Sequence, residues 1–349
     1  MRKYPSIGQF RHVVETVTHR ATYIGQSAEA EPIYDESKTK PVLTFTGTTK
    51  LHGSNGGVSF DLVSGIRTAQ SRERVLTLTE DNHGFCAWTQ SAAGAADLAH
   101  LRAAVHGAIA FAPAASIHVF GEWCGLSING NTAIGQLPER FVVFAALVTL
   151  VDRTETWIDL PLIAPMWHQL KGDAVTGVNL ICDFKQWAIS VDFNDPGAVL
   201  DCLEQLTMEV EAECPVASAL GLRGLGEGIV WTCQDPIFGR QVFKTKGMKH
   251  KGTKSARLVS IAPEVLESRD AFCAAVLTDS RLEQGFNLIK AVHGKVTLDR
   301  IGEFLMWVGM DVMKEESDTM KASGLDRKLA MSGVNSKAKA WVIPRLEKF

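Results

Sequence analysis

The sequence has no apolar stretch long enough to cross a bilayer. Its longest apolar run, FVVFAALVTLV at Phe141 to Val151, falls well short of the about 20 residues a spanning helix needs, and it suits a buried strand. The opening residues, MRKYPSIGQFRHVVE, lack the apolar centre of a secretory signal, so a cytoplasmic protein is expected. No CxxC pair occurs among the seven cysteines, and an odd number of scattered thiols argues for a reducing compartment and against a zinc ribbon. Internal repeats and low-complexity tracts are missing too. Membrane, secreted and fibrous classes are thereby excluded.

What is present can fold. The 349 residues are 46% hydrophobic and 21% charged, enough for a sizeable core and about two domains of ~150 residues. The net charge of −3 hides an asymmetry: Lys244 to Phe349 holds 19 basic and 13 acidic residues, whereas the first 243 hold 17 and 26. Six of the basic residues fall in KTKGMKHKGTKSAR (Lys244 to Arg257), which has no acidic residue. Such a cluster suits a polyanion, phosphate or nucleic acid; a solvated linker is the alternative.

Up to about residue 250, strand patterns dominate. VLTFTGT (Val42 to Thr48) and GVSFDLV (Gly57 to Val63) alternate around a glycine-rich turn, and Ile117 to Trp123, Phe141 to Val151, Thr154 to Leu160, Glu227 to Cys233 and Arg240 to Lys246 follow. Cys86 to Ala110 and Pro196 to Cys214 have helical spacing. Without regular βαβ alternation, the expected class is α+β with antiparallel sheets. Beyond residue 256 the spacing predicts helices at Pro263 to Leu277, Arg281 to Val292, Leu298 to Met313 and Ser336 to Glu347. The expected domains are therefore residues 1–250 and a small all-helical domain over 256–349.

The stretch Lys50-Leu51-His52-Gly53-Ser54-Asn55 lies between two strand patterns. A lysine at a strand end, desolvated and near other cations, can serve as a nucleophile. His52 and Asn55 add donors, while Gly53 and Gly56 allow close backbone approach. A surface hairpin with an incidental lysine is the alternative at this point. The glycines follow the lysine, so this is not a GxxxxGK phosphate loop. Glu122 in FGEW and Glu227 in GEGIV sit at strand ends beside glycine, and Lys244 and Lys246 share one face of VFKTK. Two carboxylates and two lysines converging on a nucleophilic lysine suit nucleotidyl transfer. GLRGLGEG (Gly221 to Gly228) does not match GxGxxG, and His83, His106, His118 and His168 lack metal-ligand spacing. Trp88, Trp157, Trp187 and Trp307 are read as core.

Taken in order, KLHGSN, the arginine of QSRER, FGEW, FVVF, EGIVW and FKTK resemble motifs I, Ia, III, IIIa, IV and V of the covalent nucleotidyltransferases. The KxHGxN form and the helical tail are similar to the phage nick-sealing RNA ligases, related to the kinetoplastid RNA-editing ligases. The resemblance implies an antiparallel-sheet nucleotidyltransferase domain, ATP-grasp-like in its ligase fold, with ATP and Mg²⁺ (or Mn²⁺) as cofactors. It implies RNA as partner, nicked duplex or broken ends, joined by a monomer with no membrane association. Lys50 would be the adenylylated nucleophile, with His52 and Asn55 serving the phosphate steps. Arg72, or failing it Arg74 or Arg67, would contact the ribose or the RNA 5′-phosphate. Glu122 would hold the ribose hydroxyl, Phe144 would stack on adenine, Glu227 would help bind the metal, and Lys244 and Lys246 would contact the α-phosphate. Thr49 stands where that branch usually has an acidic residue and Ala145 where an Asp is common, and both bear on purine selection. The implied activity is ATP-dependent sealing of 3′-OH and 5′-phosphate RNA ends through lysyl-AMP. The rivals are a DNA ligase or GTP-using capping enzyme, which usually carry an OB-fold after motif V, and a non-catalytic RNA-binding protein on a ligase scaffold.

Overall fold

A computed structural model describes residues 1–110, 112–126, 128, 132–174, 176–247, 269–317, 320 and 326–346. In chain order the elements are α1 (Phe10–Thr22), β1 (Tyr23–Gln26), β2 (Pro32–Tyr34), β3 (Val42–Lys50), β4 (Ser54–Asp61), β5 (Arg67–Ser71), α2 (Phe85–Gln90), α3 (Ala92–Ala108), β6 (Ala114–Cys124), β7 (Arg140–Leu150) and β8 (Glu155–Ile158). There follow α4 (Leu160–Lys171), β9 (Val178–Leu180), β10 (Gln186–Asp192), α5 (Leu200–Ala212), α6 (Pro215–Ala219), β11 (Gly228–Asp235), β12 (Gly239–Lys246), α7 (Arg269–Val276), α8 (Asp279–His293), α9 (Ile301–Glu315) and α10 (Arg327–Val342). The class is α+β with antiparallel sheets, except that β9 runs parallel to β7, and a helical C-terminal region. One sheet has the order β5-β4-β6-β7-β8 with β9 added beside β7, and a second runs β10-β3-β11-β12. No helix among the described residues is long and apolar enough to cross a membrane.

Two compact units interleave along the chain: residues 1–7, 46–189 and 209–231 form one, and residues 8–45, 190–208 and 232–349 the other. In the first unit, β4, β6 and β7 form the centre of the larger sheet, and β7 is buried along most of its length, as its unbroken apolar run requires. Leu98, Leu101 and Val105 of α3 join Phe85, Phe141 and Trp167 in the core. The expected helix from Cys86 to Ala110 is two helices, because Ser91 turns extended and its side chain accepts from the Gly94 amide, capping α3. A smaller cluster of Tyr4, Phe120, Ala145 and Leu147 packs together, with Phe144 and Trp157 against it.

In the second unit, α1 packs on β12 through Phe10 and Phe243, whose rings are 4.9 Å apart. Helices α7 to α10 share a core of Phe272, Phe304, Val308, Val334 and Val342. Helix α10 begins nine residues before the expected Ser336: Asp326 caps it by accepting from the Lys328 and Leu329 amides, and Gly333, which reads as a break, is where the helix packs against Cys273 and Arg269. Helices α1 and α4 escape the sequence patterns, the first because β-branched Val13, Val14, Thr16 and Val17 crowd it, the second because Pro165 lies inside it. Buried ion pairs bind this unit's ends: Glu316, fully buried, accepts from Arg11 at 3.4 Å and from Arg281 at 3.2 Å, and Arg281 also pairs with Asp311 at 2.7 Å. The expected helix from Pro263 lies mostly outside the described residues, of which α7 is the continuation; the basic residues from Lys249 to Arg257 lie outside them too.

Candidate active site

Strand β3 alternates, with Leu43, Phe45, Gly47 and Thr49 buried, so its last residue, Lys50, points to the opposite side from them. The Lys50 ammonium donates to Glu227 Oε2 at 2.6 Å, from a side chain only 21% exposed, and Glu227 itself is buried just ahead of β11. The chain then turns through His52 and Gly53 into β4. There the Gly53 amide donates to Glu122 Oε1 at 2.9 Å. Only glycine fits: a Cβ on residue 53 would collide with the Trp123 carbonyl oxygen and stand 2.8 Å from Cys124 Cβ.

The register of the larger sheet lines up the next residues. Asn55 pairs with Glu122 across β4 and β6, and Gly56 pairs with Ser71 across β4 and β5, so Arg72 follows one step past that pair. Arg72, Asn55 and Glu122 thus stand in a row at one end of three strands. Burial raises the Glu122 carboxyl to about 7; Lys50, the Gly53 amide and Arg72 pull it down, while Glu227 pushes it up. The structure distinguishes the three arginines: Arg67 donates to the Thr89 carbonyl and Arg74 to the carbonyls of Glu80 and Asp81, whereas the charge of Arg72 acts on Glu122.

Beta-bulge geometry sets Phe144. Phe120 pairs with Ala145 and Gly121 with Val143, leaving Phe144 as the extra residue on β7. Its ring meets Tyr4 edge-on at 5.0 Å. Ala145 is buried in the same small cluster, and Thr49 is buried with its hydroxyl making no hydrogen bond among the described residues.

Lys244 and Lys246 lie on β12 in the second unit, and Thr245 between them is buried and accepts from the Thr207 hydroxyl at 2.7 Å. Lys244 donates to Glu315 Oε1 at 2.8 Å, a partner 71 residues downstream that no sequence pattern reveals. Among the described residues no group of three or more His, Cys, Asp or Glu could hold a metal ion. Mg²⁺ is typically held by one or two carboxylates together with substrate phosphates, and Glu227, buried against the Lys50 ammonium, is a carboxylate of that kind. His118 sits between Ser59 and Ser116, and His168 bonds Asp183.

A lysine against a buried carboxylate, a second carboxyl on a backbone amide and an arginine in the same row make a set of groups with which nucleotidyl transfer is chemically compatible. The RNA ligase family model matches residues 43–246, more than half of the chain and every residue of this constellation. The chain belongs to the RNA ligase family. No curated protein matches it. Among solved structures it is similar to a Naegleria gruberi RNA ligase with PPi, at 14% identity and a TM-score of 0.40, over 71% of this chain and 56% of that one. It is also similar to an archaeal ATP-dependent RNA ligase, at 13% identity and a TM-score of 0.37, over 97% of this chain and 74% of that one. The chain spans little more than half the length of the Naegleria ligase it matches.

Proposed function

We propose that this chain is an ATP-dependent RNA ligase that seals 3′-hydroxyl and 5′-phosphate RNA ends. The Lys50–Glu227 pair at 2.6 Å carries the reading, because it sets a nucleophilic amine against a buried proton acceptor inside the family's matched segment. In the first step Lys50 passes one proton to Glu227 Oε2 and the freed amine attacks the α-phosphorus of ATP; the bond to pyrophosphate breaks, the nitrogen's next proton leaves with the pyrophosphate, and lysyl-AMP remains. In the second, the RNA 5′-phosphate takes the AMP and frees the amine. In the third, the 3′-hydroxyl displaces AMP and the phosphodiester forms. Glu122 takes the ribose hydroxyl, Phe144 the adenine face, Arg72 the ribose or the RNA 5′-phosphate, and His52 and Asn55 the phosphate steps. Lys244 and Lys246 stabilise charge on the α-phosphate. A divalent cation held by Glu227 would neutralise phosphate charge when bound. The basic stretch from Lys244 to Arg257 and the helical segment over 256–349 supply contacts to RNA phosphates.

Incubation with ATP labelled at the α-phosphate and Mg²⁺ should leave covalent label on the protein, and each of the other nucleotides and NAD should leave little. Lys50→Ala should abolish the label, and so should Lys50→Arg, because a guanidinium stays protonated. Labelling of either variant would remove Lys50 as the nucleophile, and equal labelling by GTP would favour the capping-enzyme alternative.

A further inference from the structure

Lys244 meets a carboxylate from the C-terminal helical segment. Strand alternation puts Lys244 and Lys246 on one face of β12, and the buried Thr245–Thr207 hydrogen bond on the other face fixes how the strand is rolled. The Lys244 ammonium meets Glu315 Oε1 at 2.8 Å, with the two side chains only 13% and 18% exposed. Glu315 is the last residue of α9 and is itself held. Its carbonyl accepts from Gln9 at 3.3 Å and Arg11 at 3.2 Å, and the next residue, Glu316, is locked between Arg11 and Arg281. Burial works against the Glu315 charge, yet Lys244 above all, then Lys246 and Arg281, hold its carboxyl down to about 2, so it stays ionised. This is a mounted carboxylate and no mobile surface partner.

A lysine is a compact charge on a flexible four-carbon stem, with three donors. A carboxylate that takes one donor holds the ammonium in place and removes the need to order the stem during reaction. We propose that Glu315 is a positioning residue for Lys244, so that the C-terminal helical segment takes part in lysyl-AMP formation as well as in RNA contact. The inference rests on the assignment of Lys244 to the ATP α-phosphate above.

Single-turnover formation of labelled lysyl-AMP by the full-length protein at saturating ATP tests it. Glu315→Gln keeps the shape and removes the charge; it should slow the step about 10-fold, the lower end of what partners orienting a reactive group contribute. The affinity for ATP should change less than the rate, and Glu315→Asp should restore part of the rate. Combined with Lys244→Ala, Glu315→Gln should add no further loss, since both act through one amine. Wild-type labelling by Glu315→Gln while Lys244→Ala is impaired would overturn the positioning role alone. Additive losses would also overturn it, placing Glu315 in a merely structural part. Wild-type labelling by Lys244→Ala would instead overturn the assignment of that lysine. Should Glu315→Gln fold poorly by its melting temperature, Glu315→Asp decides: a rate equal to wild type despite the shortened side chain would end the proposal.

Discussion

Glu122 keeps a proton that an exposed glutamate would release near its ordinary value of 4.5, because burial lifts its carboxyl to about 7. Between those two values the native chain holds a proton that the unfolded chain has lost, so stability should fall as pH rises through that window. Glu122→Gln cannot ionise. Its urea midpoint should therefore gain on the wild type between pH 5 and pH 8, by an amount equivalent to about 1–3 kcal/mol. A gap between the two proteins that does not move with pH would mean that the Glu122 carboxyl is not raised. The proton bears on chemistry as well, since Glu122 lies within electrostatic reach of both Lys50 and Glu227.

The turn joining β3 to β4 ties Lys50 to Glu122 through the close passage of Gly53 over the end of β6. Gly53→Ala should push the turn outward, break the amide contact to Glu122 and misplace Lys50. Labelling with ATP should drop at least ~10-fold, for a stability loss of about 1–3 kcal/mol typical of overpacking. Normal labelling in that variant would show that the turn tolerates displacement. Strands β3, β4, β6, β7, β11 and β12 were legible because each alternates or runs apolar for at least seven residues, and Lys50, Glu122 and Glu227 stand out as charges at such strand ends beside glycine. Strand β5 was not, since RTAQS is polar and gains its partner only from β4. The backbone carbonyls that Arg67 and Arg74 reach, unlike the expectation that put Arg72 ahead of them, could not be read from the sequence. Phe144 turns on a bulge that a strict two-residue period does not foresee.

At the scale of the molecule, each compact unit gathers stretches that lie far apart in the chain. Residues 8–45 and the helices after residue 269 belong to one compact unit, joined through Arg11, Glu316 and Arg281. Arg281→Met takes one charged partner from the buried Glu316 and breaks the ion pair with Asp311; removing one side of a buried pair typically costs about 3–5 kcal/mol. Urea unfolding of the variant should show a loss of that size, a large share of a usual folding free energy of about 5–15 kcal/mol. A loss below ~1 kcal/mol would mean the network is not what holds these segments together. The first unit is likewise gathered from separated stretches, and Lys50 and Glu227 meet across 177 residues of chain. A ribosome adding roughly 5–20 residues per second completes Glu227 some 9–35 s after Lys50. For that interval the nascent polypeptide carries Lys50 without Glu227. On the roles proposed for the two residues, adenylylation would have to await the later strand.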